Sequence, residues 1–190
     1  MANIAILEKT PNTIYAYLEN LDPAYSRNDR YIDWYTDADY QGTTYLPAYA
    51  SSGGDIVLSG LSAFTEYIIT ADVYYYGGHV VLYDDSEFTR PNYFDWGYAK
   101  TSGGSFNLTA SEWNALRTNI NQVRWYRDYS TASMTIVSQG DDLTASIYNE
   151  AVDAIQGIAG YGTYLPTATQ GDPVTAYHFN ILVSELNAIP

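Results

Sequence analysis

The chain has 190 residues with 8 Lys+Arg against 22 Asp+Glu, a formal net charge of −14, and it carries 21 tyrosines and no cysteine. A charge of that sign repels phosphate and argues against a nucleic-acid partner, while the missing cysteine excludes a disulfide scaffold, a thiolate nucleophile, a zinc knuckle and an iron–sulfur site. Hydrophobic content of 46% is too high for a disordered acidic chain, and no apolar run approaches the roughly 20 residues that cross a bilayer, so membrane insertion is not expected.

Residues 1–10 open with the apolar stretch Met1-Ala-Asn-Ile-Ala-Ile-Leu7. This segment is expected to precede the first strand and to add to a sheet or insert into a neighbour. Residues 11–90 read as short strands. Thr13 to Leu18 and Arg30 to Thr36 are β-rich runs, separated by a polar loop from Asp22 to Asp29. Tyr45-Leu46-Pro47 is proline-marked and suits an edge. Asp55 to Ser59 follows a Ser-Ser-Gly-Gly turn. Tyr67 to Tyr76 and His79 to Tyr83 flank Gly77-Gly78, a two-residue hairpin signal. Strands at this spacing predict a β-sandwich.

A turn on Gly77-Gly78 sets Tyr76 opposite His79, Tyr74 opposite Val81 and Asp72 opposite Tyr83. Alternation then sends Val73, Tyr75, Val80 and Leu82 to the core with Tyr67. Tyr74, Tyr76, His79, Val81 and Tyr83 form an outward strip beside Asp72. So aromatic a strip asks for cover: the helical half, another subunit or a carbohydrate.

From about residue 105 the period changes, and the form aliphatic-Thr-Ala-x-x-aromatic-Asn occurs three times: Leu108 to Asn114, Leu143 to Asn149 and Val174 to Asn180. Each is followed by apolar residues at helical intervals, predicting helices near 110–128, 145–158 and 176–188. Thr109, Thr144 and Thr175 stand at the N-cap positions. Leu108 with Trp113, Leu143 with Tyr148, and Val174 with Phe179 form hydrophobic staples, and Glu112 completes a capping box with Thr109. The asparagine that follows each aromatic is placed to bond a neighbouring loop. Thr131 to Val137 suggests a short strand, and Gly160 to Pro166 a turn-rich loop. With three units and long loops, a compact three-helix cluster is expected over a solenoid. The fold class is therefore α+β: a β-sandwich over 11–90, then a small helical domain over 91–190.

Little points to catalysis. His79 opens a hairpin strand and His178 starts a helix. There is no Gly-x-Ser-x-Gly elbow, phosphate loop or His-Glu-x-x-His helix. The acidic clusters Asp37 with Asp39, Asp84-Asp85 with Glu87, and Asp141-Asp142 fall in predicted turns, where aspartate stabilises the turn itself, and no loop matches an EF-hand. No catalytic, cofactor-binding or metal-ligating residues are assigned.

Ile56-Val-Leu-Ser-Gly-Leu61, followed by Thr65-Glu-Tyr67 and Val73, resembles the fibronectin type III pattern, in which such a stretch forms a tyrosine corner ahead of the penultimate strand. Leu61, Thr65 and Tyr67 match it, and Trp34 is similar to the family's early tryptophan. Residues 108–121 and 171–189, with Phe94-Asp-Trp96 at the junction, resemble a repeat module of structural proteins in phages and prophages of Firmicutes, where it follows a fibronectin-like domain. That resemblance implies a non-enzymatic virion component of a tail or fibre, with a second copy of itself or other virion proteins as partners. The start lacks a basic n-region and an apolar h-region, so the expectation is synthesis in a host cytoplasm without a signal peptide and export on a particle. The alternative drawn from the tyrosines is a carbohydrate- or receptor-binding module.

Overall fold

A computed structural model describes residues 2–21, 30–46, 53–75, 78–97, 100–101 and 108–190, apart from the side chains of residues 75 and 78–83. The chain divides into two compact units, Met1–Arg90 and Pro91–Pro190.

The first unit contains seven strands: β1 (Asn3–Lys9), β2 (Thr13–Glu19), β3 (Arg30–Thr36), β4 (Asp39–Leu46), β5 (Gly53–Ser59), β6 (Glu66–Tyr75) and β7 (Gly78–Phe88). They form two antiparallel sheets, ordered β1-β2-β5 and β4-β3-β6-β7. Each inner face is written in alternation. Ile14, Ala16 and Leu18 of β2, Ile32 and Trp34 of β3, and Ile69, Ala71 and Val73 of β6 have no exposed surface. Together with Ile4, Leu46, Leu58 and Leu61 they make one core between the sheets. Gly54 permits the closest approach there. It adopts φ +69°, and a Cβ on it would lie 2.5 Å from the Ile32 side chain.

The N-terminal segment joins this sandwich. β1 pairs with β2 from Asn3–Glu19 to Lys9–Ile14, so the strand is added to the chain's own sheet, where Ile4 and Ile6 reach the core. The fourth strand is longer than Tyr45-Leu46 suggested, because a two-residue turn at Asp37 (φ +48°) and Ala38 (φ +71°) starts it at Asp39. Asp84, Asp85 and Glu87 lie within β7, not in a turn. That strand pairs with the whole length of β6, and Thr70 and Lys9 meet two of the carboxylates.

The hairpin register also differs from expectation. Tyr75 pairs with Gly78 and Tyr74 with His79, and a bulge next to Val73 then sets Val73 opposite Val81 and Ala71 opposite Tyr83. The pairing is thus shifted by one residue from the one expected of a turn on Gly77-Gly78.

At the other end of β6, Tyr67 closes a tyrosine corner. Its hydroxyl accepts the Ser62 backbone N–H at 2.7 Å. Thr89 locks the same corner, donating its hydroxyl to the Ser62 carbonyl at 2.6 Å and accepting the Thr65 N–H at 3.1 Å.

The second unit carries α1 (Ala110–Tyr126), α2 (Ala145–Gln156) and α3 (Ala176–Ala188) around a core to which all three contribute: Trp113, Leu116 and Ile120; Tyr148, Val152 and Ile155; Phe179, Leu182 and Leu186. Residues 131–137 form no strand. Much of their backbone is bonded by helix side chains instead, including the Glu150 carboxylate of α2, which accepts the Thr135 N–H, and two side-chain amides of α1. Asn114 donates to the Val137 carbonyl at 2.8 Å and accepts its N–H at 3.2 Å, and Asn121, seven residues on, does the same for Ala132 at 3.1 and 2.7 Å. On α2, Asn149 grips Ala168 through both groups at 2.9 and 2.8 Å, and Gln156 donates to the Gly162 carbonyl at 3.1 Å. On α3, Asn180 donates to the Lys100 carbonyl at 2.8 Å, and Asn187 grips Phe94 through both groups at 2.9 and 2.8 Å. The third helix therefore holds the segment that precedes the first. Lys100 and Asn92 of that segment are bonded in turn to Glu112 and Asn119 of α1, and this closes the cycle of three helices and three extended segments.

Candidate functional site

The six cap and staple residues sit at the starts of the three helices. The Thr109 hydroxyl accepts the Glu112 N–H at 3.2 Å, and the Glu112 carboxylate accepts the Thr109 N–H at 2.8 Å. The Thr144 hydroxyl accepts the Ile147 N–H at 3.3 Å. In the third helix His178 takes the place of glutamate, its Nδ1 accepting the Thr175 N–H at 3.2 Å. Trp113, Tyr148 and Phe179 are buried beneath these caps. Trp113 donates its indole N–H to the Thr135 carbonyl at 3.0 Å, and Tyr148 donates its hydroxyl towards the Pro166 and His178 carbonyls at 3.0 and 3.3 Å. Burial pushes the Tyr148 phenol up to about 12. The recurring threonine, aromatic and asparagine positions thus mark the helix starts and tie them to neighbouring loops.

Two open hollows repeat the same pattern. One, of about 320 Å³, lies between the α1 cap and the turn around Gly140; the other, of about 840 Å³, lies between the α2 cap and the turn around Gly171. Each is floored by Thr-Ala-Ser at a helix start and walled by a Gln-Gly-Asp turn. In these turns the N–H of Asp141 or Asp172 closes on Ser138 or Thr169.

The sandwich offers a different surface. Of the expected strip, Tyr74 lies on β6. Tyr76 and the side chains of His79, Val81 and Tyr83 fall outside the described residues. Tyr74 does not stand alone. Register places Tyr31 of β3 opposite both Tyr74 and Tyr45 of β4. The Tyr31 and Tyr74 rings stack at 4.7 Å with 8° between their planes, and Tyr45 leans against Tyr31 at 6.1 Å. Four residues along β3, Tyr35 meets Tyr40 edge-on at 5.7 Å. Between these two aromatic groups, Asp33 and Asp72 stand directly opposite each other across β3 and β6. Thr43 donates its hydroxyl to Asp33 and is itself bonded to the Tyr40 hydroxyl at 2.7 Å. Partial burial and then the charges of these two aspartates raise the phenols of Tyr35 and Tyr74. Tyr45 and Tyr40 are 78% and 59% exposed.

The tyrosines added by β3 were written in the sequence as Tyr31-x-Asp33-x-Tyr35, a same-face period of two that flanks an acid with rings. What the sequence withheld was the neighbour order: β4 and β6 both pair with β3, and this gathers tyrosines from three strands on one face.

Among the described residues no group of three or more His, Asp or Glu is placed to hold a metal ion, and no helix is long and apolar enough to cross a membrane. No protein-family model matches the sequence, and no curated protein matches it. Solved structures similar to it include the fn3 domain of the human collagen alpha-1(XX) chain, at 18% identity and TM-score 0.37, over 54% of this chain and 90% of that one. A two-domain fibronectin type III segment of chicken tenascin aligns at 15% identity and TM-score 0.32, over 46% and 47%. A redesigned β-sandwich protein aligns at 16% identity and TM-score 0.35, over 47% and 92%. The first unit is a sandwich of two antiparallel sheets resembling a fibronectin type III domain, and three helices follow it.

Proposed function

We propose that the chain is a non-enzymatic structural protein of a phage-like particle or extracellular fibre, and that its sandwich attaches to another component through the outward face of the four-stranded sheet. One observation carries this reading: five tyrosines from three adjacent strands are assembled on a rigid sheet face, two of them more than half exposed. Tyrosine supplies broad contact area at small entropic cost, which suits recognition better than solvent exposure. The helical unit supports the reading from the other side. Its repeated asparagines are consumed in holding its own loops.

Copies of a chain with net charge −14 repel at low ionic strength. Self-assembly into fibres should therefore strengthen with added salt, which screens that repulsion within about 10 Å at 0.1 M. Light scattering across a salt series, with negative-stain imaging and retention on purified tail or fibre components, tests the proposal. A protein that stays monomeric at high concentration and is retained by no virion component would refute it.

The exposed rings of Tyr45 and Tyr40 favour one other reading, a carbohydrate-binding module that stacks sugars on them. Retention on a glycan array that is lost on Tyr45→Ala would support it.

A further inference from the structure

We propose that α3 is exchanged between copies of this chain, so that the helix of one copy is seated on Phe94, Trp96 and Lys100 of another. The proposal rests on the self-assembly reading above and names the joint that links the copies.

The three helices grip extended residues in the same way, but from different places in the chain. Asparagines of α1 grip Val137 and Ala132, 23 and 11 residues away. On α2, Asn149 and Gln156 grip Ala168 and Gly162, 19 and 6 residues away. Each of these joints is made with the stretch that directly follows the helix. In contrast, α3 grips Lys100 and Phe94, 80 and 93 residues away, and Phe179 meets Trp96 edge-on at 6.0 Å. This joint is where the cycle of helices and segments closes. Opening it leaves two complementary ends, a helix without its segment and a segment without its helix. Such ends pair equally well between copies, because the exchanged form reuses the native contacts and needs no new surface. Reciprocal exchange closes a pair of copies, and one-way exchange continues head to tail into a filament.

Two features make α3 the element that moves. The first is the connection before it, the six residues Thr169 to Val174. A backbone bond from Asp172 to the Thr169 carbonyl at 3.0 Å folds this stretch back, with Gly171 at φ +96°. Pro173 biases Asp172 towards extended backbone, and the matching stretch before α2 carries Asp142 in its place. Drawn out, six residues span about 20 Å, enough to carry a helix to a neighbour. The second feature is charge. Glu185 is the single Asp, Glu, Lys or Arg of α3, whereas α1 has Glu112, Arg117 and Arg124 and α2 has Glu150 and Asp153. Phe179, Leu182 and Leu186 have no exposed surface. Exchange therefore links two chains of net charge −14 through an apolar helix that brings one carboxylate with it.

The test holds the full chain at high concentration in mild urea with added salt, removes the urea, and separates the species by size-exclusion chromatography with light scattering. Oligomers that persist on dilution are expected. When they are prepared from an equal mixture of 13C-labelled and unlabelled chain, isotope-filtered NOEs should connect Trp96 of one copy with Phe179 of another. Deleting residues 170–172 removes the turn that folds α3 back, so the main species should shift from one chain mass to two or more with helix content unchanged by circular dichroism. Asn187→Ala weakens the joint alike in both forms, so it should speed exchange and leave the equilibrium ratio of monomer to oligomer within about twofold. Filtered NOEs on the parent oligomers decide the matter independently of either variant. Oligomers without them would overturn the exchange and leave self-assembly standing. A chain that stays monomeric throughout would overturn it as well, and retention on virion components would then still uphold attachment. Exchanged oligomers that no virion component retains would uphold the exchange and count against attachment.

Discussion

In the sandwich every strand finds its hydrogen-bond partners on another strand. In the helical unit Phe94, Lys100 and the segments 131–137 and 162–168 find many of theirs on asparagine and glutamine side chains spaced seven residues apart on the helices. A backbone ladder makes little demand on residue identity, so the outward positions of β3, β4 and β6 are free to carry tyrosine and aspartate. An amide clamp demands one residue type at each grip, because only a carboxamide offers a donor and an acceptor side by side. The first unit is therefore the one whose surface can be given over to recognition, and the second spends its polar residues on holding itself closed.

The sharpest way to break this contrast is to remove one clamp. Asn149→Ala leaves the N–H and carbonyl of buried Ala168 without their partners. Each buried group left unmet costs about 1–3 kcal/mol, so the helical unit should lose about 2–4 kcal/mol. Urea unfolding followed separately in the two units should show the helical transition move and the sandwich transition stay. A sandwich transition that shifts equally would mean that the two units do not fold independently.

Tyr148→Phe should cost the helical unit less, about 1–2 kcal/mol, because the ring stays and only the hydroxyl bonds to the Pro166 and His178 carbonyls are lost. It should also change the alkaline limb. The native phenol is held near 12 against an ordinary value of 10, so the folded state keeps its proton longer than the unfolded state. The stability this supplies is complete below pH 10 and is lost as pH rises from 10 towards 12. Phenylalanine cannot ionise, so the variant should lack that part of the alkaline decline. Unfolding curves between pH 9 and 12 check both points.

Tyr67→Phe makes the matching cut in the sandwich. It removes the single hydroxyl bond to Ser62 at a corner that Thr89 also locks, so a loss of about 1 kcal/mol is expected, confined to the first unit.

The corner and the caps were legible in the sequence because they are local. Leu61, Thr65 and Tyr67 lie within seven residues, and each Thr-Ala-x-x-aromatic-Asn signals its own helix start. The asparagine after each aromatic was legible as a loop binder. Its partner seven residues on, at Asn121, Gln156 and Asn187, was hidden because Gln replaces Asn once and the target segments share no motif. Closure by residues 91–100 was out of reach for another reason: it joins residues 80 to 93 apart in sequence. On the sheet, the faces of β3 could be read from alternation, but the hairpin register could not. By composition Gly77-Gly78 is a favoured two-residue turn, but composition does not foretell the bulge beside Val73 that shifts the pairing of β6 with β7.

The smallest effect on stability is expected on the open side of the sheet. Tyr45 is 78% exposed and leans on Tyr31, its partner across β3 and β4, at 6.1 Å. Tyr45→Thr keeps a residue that favours strands and gives up the contact between the rings, so the sandwich should lose about 0.5 kcal/mol. Retention on fibre components, in contrast, should fall with the ring. If Tyr45→Thr instead destabilises the sandwich by about 2 kcal/mol or more and leaves retention unchanged, the ring is serving the fold, and the aromatic face loses its claim to be a binding surface.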